Sequence, residues 1–312
     1  MKKITLVGCG NIGSRHLQGL CKLNNFEIDI VEPSMHSRKI AKQRLREINV
    51  KTKLRWHNSI EDLREGELAI IATTSENRVK IIKKLLNKKY NKFILEKVVC
   101  QSVLQYKTLL RDLEKFNATA WVNLSRRYYL DYKKIEKKFK GSDINISVIS
   151  GNNDLGTNLI HYVDLFCWMN NDYKIILNGN NLFKNLCVTK RGKKFQEFAG
   201  SVYGTLSNKT FLNVSYTPFS NYSSNIFISN KTEKILVDEE NGLIYDLNKK
   251  TNHKFKTQFQ SELTDTMIKD VINNSVKLPK VEELFTIHEE IFRIFLKHLK
   301  KQKINTKICP IT

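Results

Sequence analysis

Glu96 and Lys97 stand side by side at the end of an apolar run, KFILEKVVC (92–100), and two valines follow at once. Desolvating a carboxylate and an ammonium is costly unless they are paired or used. A lysine so placed can be tuned down by burial, which suits it to handle a proton. His161 is a second candidate, because imidazole titrates near neutrality without special tuning. It lies on the apolar stretch 157–169, where a lone histidine is more often a packed core residue, so both readings stand. Asn123, Arg126 and Arg127 follow a further apolar run, 118–122. Arg127 has the fork that clamps a carboxylate or phosphate through two hydrogen bonds, with an inter-domain salt bridge as the equal alternative.

A phosphate-binding signature opens the chain. Gly8, Gly10, Asn11, Ile12 and Gly13 form G-x-G-x-x-G directly between an apolar run and a helical pattern. Gly8 permits the tight turn, Gly10 lets a pyrophosphate approach the backbone, and Gly13 lets helix and strand pack closely. The amides of Asn11 and Ile12 then point at phosphates from a helix N-terminus. About twenty residues on, Glu32 ends the next apolar run, where a carboxylate accepts from ribose hydroxyls and repels a 2′-phosphate. That favours NAD as cofactor, while nearby Arg38 and Lys39 leave NADP open. Thr73, Thr74 and Asn77 follow the buried run LAIIA (68–72), either beside the same ligand or as plain helix caps.

Positioning these residues requires strands and helices in alternation. Strands are expected at 3–7, 26–32, 54–57, 68–72, 92–96 and 118–122, and helices at 11–22, 37–47, 76–89 and 102–116. Ser59 is expected to cap a short helix, with Asp62 three residues on. This order predicts βαβ units and a parallel sheet. After Asn123 the pattern changes: helices at 131–139 and 157–169, then strand-like runs at 144–150, 174–177, 200–206, 210–216, 224–229, 234–237 and 243–246. These runs predict a mostly antiparallel sheet, followed by helices at 262–274 and 281–301. The division is thus 1–122 and 123–312, with the closing helices free to return to the first domain.

The composition, 41% hydrophobic and 27% charged, is that of a soluble globular protein. No apolar stretch approaches the roughly 18 residues of a membrane helix, so a cytoplasmic protein without membrane partners is expected. The net charge of +22 comes from lysines spread along the chain, which fits solvated helix faces and favours an anionic small ligand. No zinc finger, RNA-recognition signature or arginine-rich stripe points to nucleic acid. Cys9, Cys21, Cys100, Cys167, Cys187 and Cys309 form no Cys-x-x-Cys and have no histidine at metal spacing, so reduced buried thiols and no metal site are expected.

The motifs GCGNIGSRH (8–16), IATTSENR (71–78), LEKVV (95–99), VNLSRRY (122–128) and GTNLIHYVDLF (156–166) together resemble the glucose–fructose oxidoreductase and inositol dehydrogenase (Gfo/Idh/MocA) family. The resemblance implies an N-terminal Rossmann domain with a doubly wound parallel sheet. It also implies a C-terminal α+β domain with a large open sheet, which packs against another subunit in a homodimer or homotetramer. The implied activity is NAD(P)-dependent hydride transfer at a hydroxyl or keto carbon of a sugar, sugar acid or nucleotide-sugar. Glu96 and Lys97 match the family's Glu-Lys-Pro motif, with Val98 in the place of the proline that fixes an unusual backbone there. His161 matches the family's catalytic histidine, Thr157 stands where an aspartate often precedes it by one turn, and Asp164 can share the histidine's face. On this basis Lys97 and His161 are the catalytic candidates, and Asn123, Arg127, Asn158 and His161 the substrate-binding ones. NAD-dependent glycoside hydrolysis and a non-catalytic NAD(H) sensor remain open as other uses of such a chain.

Overall fold

The computed structural model describes residues 2–50, 52–151, 154–184, 187–189, 192, 194–218, 222 and 224–312. The chain forms two compact units: 1–100, 104–125 and 258–282 in the first, and 101–103, 126–257 and 283–312 in the second.

In the first unit β1 (Lys2–Val7), α1 (Asn11–Leu20), β2 (Phe26–Val31), α2 (Met35–Leu45) and β3 (Lys53–His57) come first. Then follow β4 (Leu68–Ile71), α3 (Arg78–Leu86), β5 (Lys92–Leu95), α4 (Val103–Lys115) and β6 (Thr119–Val122). The six strands are parallel, as the alternation predicts, in the order β3-β2-β1-β4-β5-β6, the doubly wound arrangement that the resemblance implies. Every residue of β4 is buried, as a strand covered on both faces requires. The order reverses between β1 and β4, so their carboxyl ends open the crevice where such sheets bind ligands. The helix expected after Ser59 does not form. Residues 59–62 make a turn in which Asp62 accepts from the Ser59 N–H at 3.1 Å, and burial of Ile60 and Leu63 holds a segment too short to propagate a helix.

The second unit begins with a 3₁₀ turn at Ser125–Tyr128, then α5 (Leu130–Phe139), β7 (Asn145–Gly151), α6 (Leu155–Asn170), β8 (Ile176–Leu182), β9 (Cys187–Val188) and β10 (Gln196–Glu197). It continues with β11 (Gly200–Thr205), β12 (Phe211–Thr217), β13 (Asn225–Ser229), β14 (Lys234–Asp238), β15 (Leu243–Asp246) and β16 (Thr251–Lys254). The chain then returns to the first unit as α7 (Gln260–Ile272), and α8 (Phe285–Lys301) closes the second. Eight strands form one sheet, β16-β15-β14-β13-β7-β12-β11-β8, antiparallel except between β7 and β12. Alternation turns Ile146, Val148, Leu212 and Val214 inward. The opposite face carries Ile149, Tyr203 and Phe211, each more than 40% exposed (49%, 44% and 47%). The expected strand at 174–177 lies instead at Ile176–Leu182, and the helix expected from 281 starts at Phe285 after a 3₁₀ turn. The strands β9, β10 and β16 were not predicted; β16, TNHK, is exposed throughout and has no apolar alternation to find.

Among the described residues no helix is long and apolar enough to cross a membrane, and no three His, Cys, Asp or Glu side chains gather as a metal site. Cys9, Cys21, Cys100, Cys167 and Cys309 are free and buried; the side chain of Cys187 lies outside the described residues. Burial pushes the Cys9 and Cys21 thiols up to about 12, so both stay protonated and unreactive.

Candidate functional site

The glycine loop leaves β1 with Gly8 at φ +87°, a conformation that L side chains rarely adopt. Gly13 lies against that turn so closely that a Cβ would fall 2.0 Å from the Gly8 carbonyl oxygen. A Cβ on Gly10, in contrast, meets nothing nearer than the Ser37 hydroxyl at 3.9 Å, so this glycine leaves open space for a ligand. No side chain caps α1, which leaves its first amides to whatever enters that space. A pocket of about 440 Å³ is lined here by Gly8, Gly10, Glu32, Ser37, Thr73 and Thr74.

Glu32, just past β2, accepts from the Cys9 N–H at 2.7 Å and the Ser34 N–H at 2.9 Å. An ionised carboxylate has about four lone-pair sites, so Glu32 keeps capacity for hydroxyl donors. Arg38 gives its N–H groups to the carbonyls of Glu32 and His57, both at 2.6 Å, and to Asn58 at 2.8 Å, with its guanidinium over Trp56. At the end of β4 the Thr73 hydroxyl is buried without a partner among the described residues, a cost that a bound acceptor or donor would remove. Thr74 and Asn77 are exposed, and Asn77 makes no side-chain cap on α3. These features fit a dinucleotide: space at Gly10, uncapped amides at α1, an acceptor at Glu32 and an open hydroxyl at Thr73.

The segment after β5 is held from beneath. Arg78, fully buried at the start of α3, donates to the carbonyls of Thr73, Glu96 and Val98. The Lys97–Val98 peptide is cis. Lys97 is half-buried, whereas Glu96 is turned inside. Its Oε1 accepts from His16 Nε2 at 3.1 Å and from Asn123 Nδ2 at 2.5 Å. Thr264 Oγ1 on α7 lies 3.0 Å from the other ring nitrogen of His16, and Gln260 accepts from Asn123 at 2.8 Å. Burial acts to raise the Glu96 carboxyl. Hydrogen bonds from His16 and Asn123, with the charges of His16 and Lys97, outweigh it and hold the pKa below the usual range. Asn123, expected at the substrate, thus supports Glu96 through its amide nitrogen, while its Oδ1 is buried without a partner among the described residues.

In the second unit, Arg127 spends two donors on Asp164, at 2.6 and 3.1 Å, and one on the Tyr173 hydroxyl at 2.7 Å. An ion pair inside this unit, not one between domains, describes its bonds. Asp164 therefore serves Arg127, although it shares α6 with His161. His161 and Asn158 are both half-buried on this helix. One turn before His161, the Thr157 N–H donates to Glu197 Oε2 at 3.1 Å and the Thr157 hydroxyl donates to the same carboxylate. A carboxylate delivered by β10 thus holds α6 one turn before His161. Gly156 makes room for it: a Cβ there would meet Glu197 Oε2 at 2.8 Å.

No model of a known protein family matches the chain, and no curated protein sequence matches it. Solved structures do. An oxidoreductase from Agrobacterium radiobacter in complex with NAD+, L-tartaric acid and magnesium matches over 94% of each chain, at 12% identity and a TM-score of 0.70. The WlbA dehydrogenase from Chromobacterium violaceum, in complex with NADH and UDP-GlcNAcA, matches over 96% of this chain and 94% of its own, at 15% and 0.70. The fold is that of the Gfo/Idh/MocA oxidoreductases. A super-repressor mutant of Gal80p from Saccharomyces cerevisiae shares this Gfo/Idh/MocA fold over 96% of each chain, at 14% and 0.71.

Three side chains escaped the sequence reading. His16 and Arg78 each end a motif that was recognised, GCGNIGSRH and IATTSENR, and only the folded chain shows what they hold. Glu197 has no local signal at all, since its partner Thr157 is 40 residues away.

Proposed function

We propose that the chain is an NAD(P)-dependent oxidoreductase that moves a hydride between a nicotinamide cofactor and a hydroxyl or keto carbon. The substrate class is a sugar, sugar acid or nucleotide-sugar, in line with the tartaric acid and UDP-GlcNAcA bound by two proteins of this fold. The observation that carries the reading is the glycine cradle at the switch point, with open space at Gly10 and the unpartnered Thr73 hydroxyl in its wall. Gly8, Gly10, Asn11, Ile12 and Gly13 would hold the pyrophosphate, Glu32 the ribose, and Thr73, Thr74 and Asn77 the flank. When bound, the cofactor accepts or gives the hydride. Glu32 supports NAD over NADP, because Arg38 is committed to carbonyl groups on the same side.

Lys97 orients and polarises the substrate oxygen, and Glu96 fixes the backbone from which it projects. His161 exchanges the hydroxyl proton. Asn158 contacts the substrate, and Arg127 steadies α6 through Asp164. A homodimer or homotetramer would cover the outer sheet face that carries Ile149, Tyr203 and Phe211.

The test is Lys97→Ala. NADH affinity, read by fluorescence titration, should stay within a few-fold, while turnover on the responding sugar falls by roughly 10²–10⁴. Normal turnover in this variant would remove Lys97 from the mechanism. The likeness to Gal80p supports a second reading, an NAD(H)-binding regulator. Tight NADH binding with no turnover across sugars and nucleotide-sugars would favour it.

A further inference from the structure

The helix that carries His161 is not capped by its own sequence. Asp154 stands at the N-cap of α6 and makes no side-chain cap. The first amides of a helix have no partner within it, so they need one from elsewhere. Here they find it on and just after β10. The Leu155 N–H donates to the Phe198 carbonyl at 3.2 Å, and the Thr157 N–H donates to Glu197 Oε2 at 3.1 Å. A carboxylate at this end of α6 also meets the positive end of the helix dipole.

The strand that delivers this cap is short. β10 pairs with β9 through two residues only, a ladder too small to hold itself in place. Residues 309–311 supply what is missing. The Gln196 N–H donates to the Pro310 carbonyl at 2.8 Å. Ile311 is fully buried over the start of α6, where a Cβ on Gly156 would meet its Cγ2 at 3.1 Å. This segment is clamped in turn by one residue, Gln101. The Cys309 N–H donates to the Gln101 carbonyl at 2.8 Å, and Gln101 Nε2 donates to the Ile311 carbonyl at 3.3 Å. Gln101 is only 5% exposed, so no water stands ready to replace a lost bond.

We propose that Gln101 is a positioning residue for His161, acting through 309–311 and β10 on the first turn of α6. The proposal rests on the reading of His161 as the group that exchanges the substrate proton. The links run in series inside the second unit. Gln101 clamps 309–311 at two points, and Pro310 fixes Gln196. The next residue, Glu197, takes the amide and the hydroxyl of Thr157, one turn before His161. A shift of 309–311 therefore reaches the catalytic helix through bonded groups. Gln101 itself follows Lys97 by four residues, so the segment that carries the lysine ends at the clamp for the histidine's helix.

The test uses Gln101→Met, which keeps the length of the side chain and removes its N–H donors. Hydrogen exchange on the whole chain, read by mass spectrometry, needs no turnover. Peptides covering 155–161 should exchange about five- to tenfold faster, with those covering β1 and α3 at wild-type rates. Ile311→Ala removes the contact over Gly156 and leaves the hydrogen bonds of the path, so it should give the same pattern more weakly. In turnover, Gln101→Met should lower kcat about tenfold at unchanged NADH affinity. Glu197→Gln should lower kcat as well, and the double variant should be no slower than Glu197→Gln alone, because both act along one path. A purely structural role would lower the urea midpoint and spare kcat of the folded enzyme. Normal turnover in His161→Asn would remove the histidine from the proposed reaction, while the exchange data still decide whether Gln101 holds α6. The proposal is overturned if 155–161 exchanges at the wild-type rate in both Gln101→Met and Ile311→Ala, or if the losses of kcat in Gln101→Met and Glu197→Gln multiply.

Discussion

Two buried carboxylates, one in each unit, solve the same problem in different ways. Asp164 is answered by a guanidinium, a charge that never leaves, with Tyr173 alongside. Glu96 is answered by the His16 imidazole and by a neutral amide from Asn123. The first arrangement is a brace: it joins the 3₁₀ turn after β6 to the middle of α6. The second is a network beside Lys97 that ties α1, the end of β6 and α7 to one carboxylate. The ion pair braces the helix that carries His161, and the wider network holds the segment that carries Lys97.

That contrast can be broken by experiment. Arg127→Met leaves Asp164 as a buried charge without its counter-ion and should cost about 3–5 kcal/mol in urea unfolding. Adding Asp164→Leu should recover most of the loss, because an apolar pair can replace a buried ion pair. Should Arg127→Met prove milder than changes at Glu96, the brace is misidentified. Glu96→Gln is expected to cost less, about 1–3 kcal/mol at pH 7. Its pH dependence is the sharper readout. The folded-state pKa of Glu96 lies below the ordinary value of about 4.3, so its contribution is complete above that value and is lost as pH falls through the folded one. The gap between wild type and Glu96→Gln should therefore narrow as pH falls below that ordinary value, and a gap that stays constant there would deny Glu96 a depressed pKa. The smallest effect belongs to Thr73→Val. Its hydroxyl has no partner to lose, so stability should hold, while NADH binding weakens by about fivefold, roughly 1 kcal/mol. Unchanged NADH affinity would place that hydroxyl outside the cofactor's reach.

The two units also differ in how far their sequences reveal them. In the first, short apolar runs are buried on both faces and glycines sit where contacts leave no room for a side chain, so strand order and pocket both follow from local pattern. Gly8 makes the tight turn and Gly13 packs closely against it, the parts that spacing assigns them. The second unit is less legible, because its contacts join distant residues. Nothing near Arg127 announces Asp164, 37 residues on, and nothing near Thr157 announces Glu197. Strands such as β16 lie in solvent and lack the alternation that marks a half-buried strand. The misplaced helix at Ser59 has the converse cause: a capping pattern was present, but no helix long enough to use it.

Arg78 has one further consequence. Its guanidinium ties carbonyls at the ends of β4 and β5 to a single point. The wall of the pocket at Gly10 and the backbone of Lys97 are therefore not separate parts. A displacement that begins at Thr73 reaches Glu96 and Val98 through one rigid planar group, so occupancy of the pocket and the aim of the lysine share a common mechanical reference.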